Sequence, residues 1–125
     1  MARGLPGIVL PQTPRWARSN FQSYCVRLPE ACDQRTVMQR LLDDGIATRQ
    51  GVMCAHREPA YANERWTCTP GSGICPCGAG GCRHLRASEA AQDHCILLPL
   101  FHEMTFEDQT RVADTLRAAC AVGAA

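Results

Sequence analysis

Residues 20–53 read NFQSYCVRLPEACDQRTVMQRLLDDGIATRQGVM, and the spacing of their apolar side chains changes twice. Over residues 20–28, Tyr24, Val26 and Leu28 alternate with Ser23, Cys25 and Arg27, so this whole run is expected to be a strand with one buried face. Pro29 closes that run by removing a backbone donor. From Asp33 the period lengthens. Val37, Met38, Leu41 and Leu42 fall at helical spacing, Asp33 has the short acceptor side chain of an N-cap, and Gly45 has the freedom in φ that a helix C-terminus uses. Residues 46–53 are β-prone again but interrupted by Gly51, so the order predicted is strand, helix, strand.

Working outward, residues 1–19 carry Pro6, Pro11 and Pro14 among Gly and Arg and form an irregular lead-in. Residues 55–63 have the Pro and polar content of a loop, and residues 67–86 turn abruptly to Cys, Gly and Pro. That second stretch has too few large apolar side chains for a core and reads as an irregular insertion. Ser88 is expected to cap a short helix reaching Cys95, and residues 96–98 to form a strand that Pro99 ends. Thr105 and Asp108 make a capping-box-like pair, with Asp where Glu or Gln is usual, ahead of Val112, Ala113, Leu116 and Ala119 at helical spacing. No internal repeat is found. Helices and strands in mixed order over one short sheet predict an α+β fold, a small two-layer domain with its helices on one face.

At 125 residues, with 46% hydrophobic and 20% charged positions, the chain suits one domain able to bury a modest core without crosslinks. A net charge of +1 supplies none of the one-signed field on which nucleic-acid or anionic-membrane binding relies. All 13 basic residues are arginine, so no side chain here can form a Schiff base or complete a P-loop. The apolar stretch at residues 5–10 is broken by Pro6 and Gly7, which argues against a secretory signal. The longest apolar run, residues 95–101 with Pro99 inside it, is far short of the ~20 residues of a membrane helix. A cytoplasmic chain with its 9 cysteines reduced is the expectation.

The sharpest local cluster is Cys68, Cys75, Cys77 and Cys82 followed by His84. Four thiolates, or three with an imidazole, suit tetrahedral zinc, and a small zinc-binding interaction module is the alternative functional reading. Against it, the spacing lacks the C-x2-C knuckles of zinc ribbons, and a loop with incidental thiols explains the same residues. Gly71-Ser72-Gly73 and Gly78-Ala79-Gly80-Gly81 lie between no predicted strand and helix, so a flexible loop is preferred to a phosphate cradle. No Ser or Cys carries a nucleophile signature, and Cys54 is too close in sequence to His56 to be oriented as its nucleophile.

The stretch from Gly45 to Tyr61, GIATRQGVMCAHREPAY, resembles the C-terminal domain of the DegT/DnrJ/EryC1/StrS aminotransferases. Two further blocks resemble the same region in the same order: residues 20–28, and residues 95–101 with Met104-Thr105 before the last helix. The resemblance implies a fold type I enzyme that uses pyridoxal phosphate to transfer an amino group, usually from glutamate, to a keto group on a nucleotide-linked sugar. In that family a large domain holds the cofactor and its lysine, a smaller C-terminal domain closes one side of the cleft, and the enzymes are homodimers. This chain resembles the small domain alone, over residues 20–125, and its lack of lysine fits that assignment. Its expected partners are therefore a large cofactor domain, on the same or a separate polypeptide, and a nucleotide-sugar substrate. The isolated chain is expected to bind no cofactor and to be inactive. By position in the motif, Arg49, His56 and Tyr61 match the loop approaching the sugar-nucleotide side of the cleft. Arg49 suits a carboxylate or phosphate, and His56 and Tyr61 suit hydroxyls; the competing reading keeps His56 and Tyr61 as packing and loop-fixing residues.

Overall fold

A computed structural model describes residues 7–61 and 84–121 of the chain. The elements are β1 (Tyr24–Arg27), α1 (Gln34–Asp43), β2 (Arg49–Gln50), a 3-10 turn (Ala55–Arg57), α2 (Arg86–His94), β3 (Cys95–Leu98) and α3 (Phe106–Ala121). The Cys68 to Cys82 part of the thiol cluster, and most of the predicted insertion, lie outside the described residues.

The sheet has the order β1-β3-β2, with β3 antiparallel to both neighbours. Val26 stands opposite Ile96, and Arg49 opposite Leu97. β1 and β2 therefore run the same way, and the β1–α1–β2 connection steps over one strand position that β3 fills from the far end of the chain. Val26 and Ile96 on the strands, and Leu28 just beyond β1, pack with Val37 and Leu41 of α1 and Val112 and Leu116 of α3 in one buried cluster. This is the expected α+β arrangement, a short sheet with α1 and α3 on one face.

Both long helices begin, and α1 ends, as their cap residues dictate. Asp33 accepts from the backbone N–H of Thr36 at 2.8 Å and from its hydroxyl at 2.6 Å. At the other end of α1, Gly45 has φ 76°, its N–H donates to Leu42 O, and that of Ile46 donates to Leu41 O, both at 2.8 Å. These two bonds are the Schellman pattern, and Ile46 enters the core just beyond them. Thr105 and Asp108 exchange the reciprocal bonds of a capping box, Thr105 N–H to Asp108 Oδ2 at 2.9 Å and Asp108 N–H to Thr105 Oγ at 3.1 Å.

Three boundaries differ from the sequence reading. β1 starts only at Tyr24, because Phe21 has φ 49° and breaks the extended run; its ring stacks on Tyr24 with centroids 6.2 Å apart. The strand expected over residues 46–53 contracts to Arg49–Gln50, since Ile46 is committed to the core below and the chain turns away after Gly51 donates to Cys95 O at 2.9 Å. α2 begins at Arg86 and not after a Ser88 cap: Leu85 is the cap residue, and the first helical bond runs from Glu89 N–H to Leu85 O at 2.9 Å. Leu42 also departs from the predicted apolar stripe, being 55% exposed. Among the described residues, no helix is long and apolar enough to cross a membrane.

Candidate functional site

The segment from Arg49 to Tyr61 leaves the edge of the sheet and docks on α2. Gly51 permits this departure. A Cβ there would sit 2.9 Å from Cys95 Cβ and 3.0 Å from Cys25 Sγ, so only glycine lets the chain pass these two cysteines.

Beyond it, polar side chains of α2 hold the turn. His56 Nε2 lies 2.8 Å from Glu89 Oε1, with the two side chains 8% and 13% exposed. Arg57 donates to Asp93 Oδ1 at 2.6 Å, and this bond is the main cause that raises the Arg57 pKa above its ordinary value. The backbone N–H of Cys54 donates to Gln92 Oε1 at 2.9 Å. Glu89 also lies in the first turn of its helix, where the helix dipole favours a carboxylate.

The same three-residue face of α2 is tied back to the fold. The carbonyl of Gln92 accepts from Gln34 Nε2 at 2.8 Å and from Gln50 Nε2 at 3.1 Å, and Cys95 O accepts from Gln34 Nε2 at 2.7 Å. Gln34 is the buried polar residue of this network, at 9% exposure. It escaped the sequence reading, although with Val37 and Leu41 it completes a helical stripe of three buried positions. Glu89, Gln92 and Asp93 were also missed. Their only sequence signal is a polar face at helical i, i+3, i+4 spacing.

The three residues singled out from sequence have different settings. Arg49 is exposed on the edge strand beside Leu97, and among the described residues its guanidinium has no ion pair. Tyr61 is 53% exposed, its N–H donating to Glu58 O at 2.9 Å. His56 faces inward onto α2, against Glu89. Cys54 beside it is buried, 4% exposed, and its thiol is pushed up chiefly by desolvation, with Glu89 and Asp93 adding to the effect against Arg57. A thiol so disposed is a poor nucleophile. Among the described residues no three His, Cys, Asp or Glu side chains are grouped to hold a metal ion.

The polar clamp thus lies beside a three-stranded antiparallel sheet, with an exposed cation, Arg49, and an exposed phenol, Tyr61, at the two ends of its segment. A model of the DegT/DnrJ/EryC1/StrS aminotransferase family matches residues 2–117. The chain belongs to that family. The same fold occurs in the aminotransferase TlmJ from Streptoalloteichus hindustanus, 24% identical over 98% of this chain with a TM-score of 0.71. It occurs too in DesI, solved in the presence of its TDP-sugar product, 23% identical over 98% of this chain with a TM-score of 0.73. A third is the sugar aminotransferase CalS13 from Micromonospora echinospora, 20% identical over 93% of this chain with a TM-score of 0.63. The chain spans only 28% of the length of TlmJ and of DesI, and 26% of CalS13. No curated protein sequence matches it.

Family membership implies pyridoxal phosphate, and the side chains present do not fit that group. The sequence has no lysine to receive its aldehyde. At the described site the groups suited to a phosphate or a pyridine ring are mostly engaged, Arg57 by Asp93 and His56 by Glu89.

Proposed function

We propose that this chain is the C-terminal part of a pyridoxal-phosphate-dependent aminotransferase acting on a nucleotide-linked keto sugar. In this reading it closes one side of a cleft whose cofactor and lysine belong to a large domain, on the same or a separate polypeptide, in a cytoplasmic homodimer. The observation that carries the proposal is the family match over residues 2–117 of a chain spanning 28% of two aminotransferases of the same fold. DesI, seen with its TDP-sugar product, suggests the substrate class.

Within that cleft Arg49 supplies a fixed positive charge for a phosphate of the nucleotide, with geometry suited to bidentate contact. Tyr61 presents a hydroxyl that can donate to or accept from a sugar hydroxyl. His56 serves by orientation: its bond to Glu89 fixes the turn that sets the separation of Arg49 and Tyr61. The chain's residues bind and orient, and the amino-group chemistry is supplied from elsewhere. The test is equilibrium dialysis of the isolated chain against pyridoxal phosphate. No saturable binding is expected, and one cofactor bound per chain would overturn the division of labour.

A further inference from the structure

The stripe of α1 that packs on the sheet begins with an amide, Gln34, ahead of Val37 and Leu41. A buried primary amide is costly unless its hydrogen bonds are made. Gln34 Nε2 has two N–H donors and two acceptors, Gln92 O at 2.8 Å and Cys95 O at 2.7 Å. Both carbonyls close α2, at the end of a helix where carbonyls lack partners within it. His94 O, between them in sequence, accepts from Leu28 N–H at 2.8 Å. No residue of α2 is itself buried, so donors from outside the helix fix where it ends.

The same two carbonyls receive the start of the 49–61 segment. Gln50 Nε2 donates to Gln92 O at 3.1 Å, and Gly51 N–H donates to Cys95 O at 2.9 Å. A carbonyl oxygen can accept twice, and here each accepts once from Gln34 and once from the residues that follow Arg49. The Gln92 side chain extends the arrangement, its Oε1 accepting from Cys54 N–H at 2.9 Å. One buried side chain on α1 therefore orients both acceptors that hold residues 50 and 51, and acts through Gln92 as far as Cys54.

We propose that Gln34 is a positioning residue for substrate binding: without touching the substrate, it orients the Gln92 and Cys95 carbonyls and so fixes the backbone that carries Arg49. The inference rests on the phosphate-binding role proposed for Arg49, and it adds to that site a residue from the far side of the sheet's core.

The chemistry of the position separates this role from packing. Two carbonyl oxygens on one side-chain end require a group that donates twice, which the NH2 of glutamine does and a carboxylate of the same shape does not. Gln34 is also the first residue of α1, where the helix dipole favours a carboxylate. Gln34→Glu therefore suits α1 while turning an acceptor toward two acceptors. Gln34→Met keeps the length of the side chain and removes both donors.

The experiment compares amide exchange, resolved by NMR, in the full 125-residue chain and in its Gln34→Met and Gln34→Glu variants. In both variants, exchange at Gly51 and Cys54 is expected to quicken at least about tenfold more than at Val112 and Leu116 of α3. An equal change at all four positions, no change at Gly51 and Cys54, or full protection there in Gln34→Glu would overturn the assignment. In the unsubstituted chain the Gln34 side-chain amide protons should exchange slowly and cross-relax with Gly51 N–H. Absence of both signals would overturn it as well, and this decides the matter even if the variants fail to fold.

A second arm measures amino transfer by the chain mixed with a lysine-bearing large domain of the family, with pyridoxal phosphate, glutamate and a nucleotide-linked keto sugar. Gln34→Met should raise KM for the nucleotide sugar at least about fivefold and leave kcat within about twofold, as expected when binding alone is lost. Arg49→Ala, run alongside, separates the two roles. A raised KM in Arg49→Ala with none in Gln34→Met would overturn the positioning role of Gln34, whereas KM unmoved by either would overturn the substrate role of Arg49 on which it rests.

Discussion

The two sides of β3 are held in contrasting ways. On one, Ile96 and Leu98 pack with Leu41 and Leu116, side chains at most 7% exposed that contribute through area removed from water. At the other edge, the 49–61 segment is held to α2 by His56–Glu89, Arg57–Asp93 and the Gln92 amide. Aliphatic burial is non-directional and tolerates rearrangement, whereas the polar clamp specifies one geometry at modest net energy. The fold thus keeps stability and orientation in separate places, and the residues proposed to meet substrate lie on the oriented side.

Substitutions can break the two regions independently. The largest effect is expected from Leu116→Ala, which empties a fully buried position and should cost about 2–5 kcal/mol of stability, read as a lowered denaturation midpoint. Next is Gly51→Ala. The added methyl meets Cys95 backbone carbon at 3.1 Å besides the two cysteine side chains, so the edge strand must shift at a cost of about 1–3 kcal/mol. Amide exchange should then rise over residues 49–57 more than in α3.

Glu89→Ala should do the reverse of Leu116→Ala. Global stability falls by about 1–3 kcal/mol, the range for removing a partly buried hydrogen bond to a charged group, while exchange protection at residues 54–58 is lost. Equal loss of protection throughout the chain would show that the clamp and core are one unit.

The smallest effect concerns Asp108, whose carboxyl is held below its ordinary value first by the Thr105 hydroxyl and then by the Thr105 backbone N–H. A lowered folded-state pKa contributes stability that is complete above the unfolded value of about 3.9 and is lost as pH falls through the folded one. Asp108→Asn should therefore flatten the decline in stability below pH ~4 and leave its shape above pH ~6 unchanged.

The aliphatic side was legible in the sequence and the polar side was not, for a physical reason. Asp33, Gly45 and Thr105 act on backbone groups within a few residues, and Val37, Leu41, Val112 and Leu116 repeat at the helical period, so local reading finds them. Partners of the clamp are 33 and 36 residues apart, with no period to connect them. His56 was found through the family resemblance, and nothing local pointed to Glu89. β2 was overextended because β propensity over residues 46–53 says nothing of Gly51 having to pass Cys25 and Cys95.

The central claim is that this chain supplies a binding wall and another domain supplies the chemistry. The most direct measurement is amino transfer from glutamate to a nucleotide-linked keto sugar, with pyridoxal phosphate present, for this chain alone, for a separately produced lysine-bearing large domain of the family, and for the two mixed. The account predicts turnover only in the mixture, lowered at least tenfold by Arg49→Ala through a raised KM. Turnover by the chain alone, or equal turnover by the large domain without it, would contradict the account.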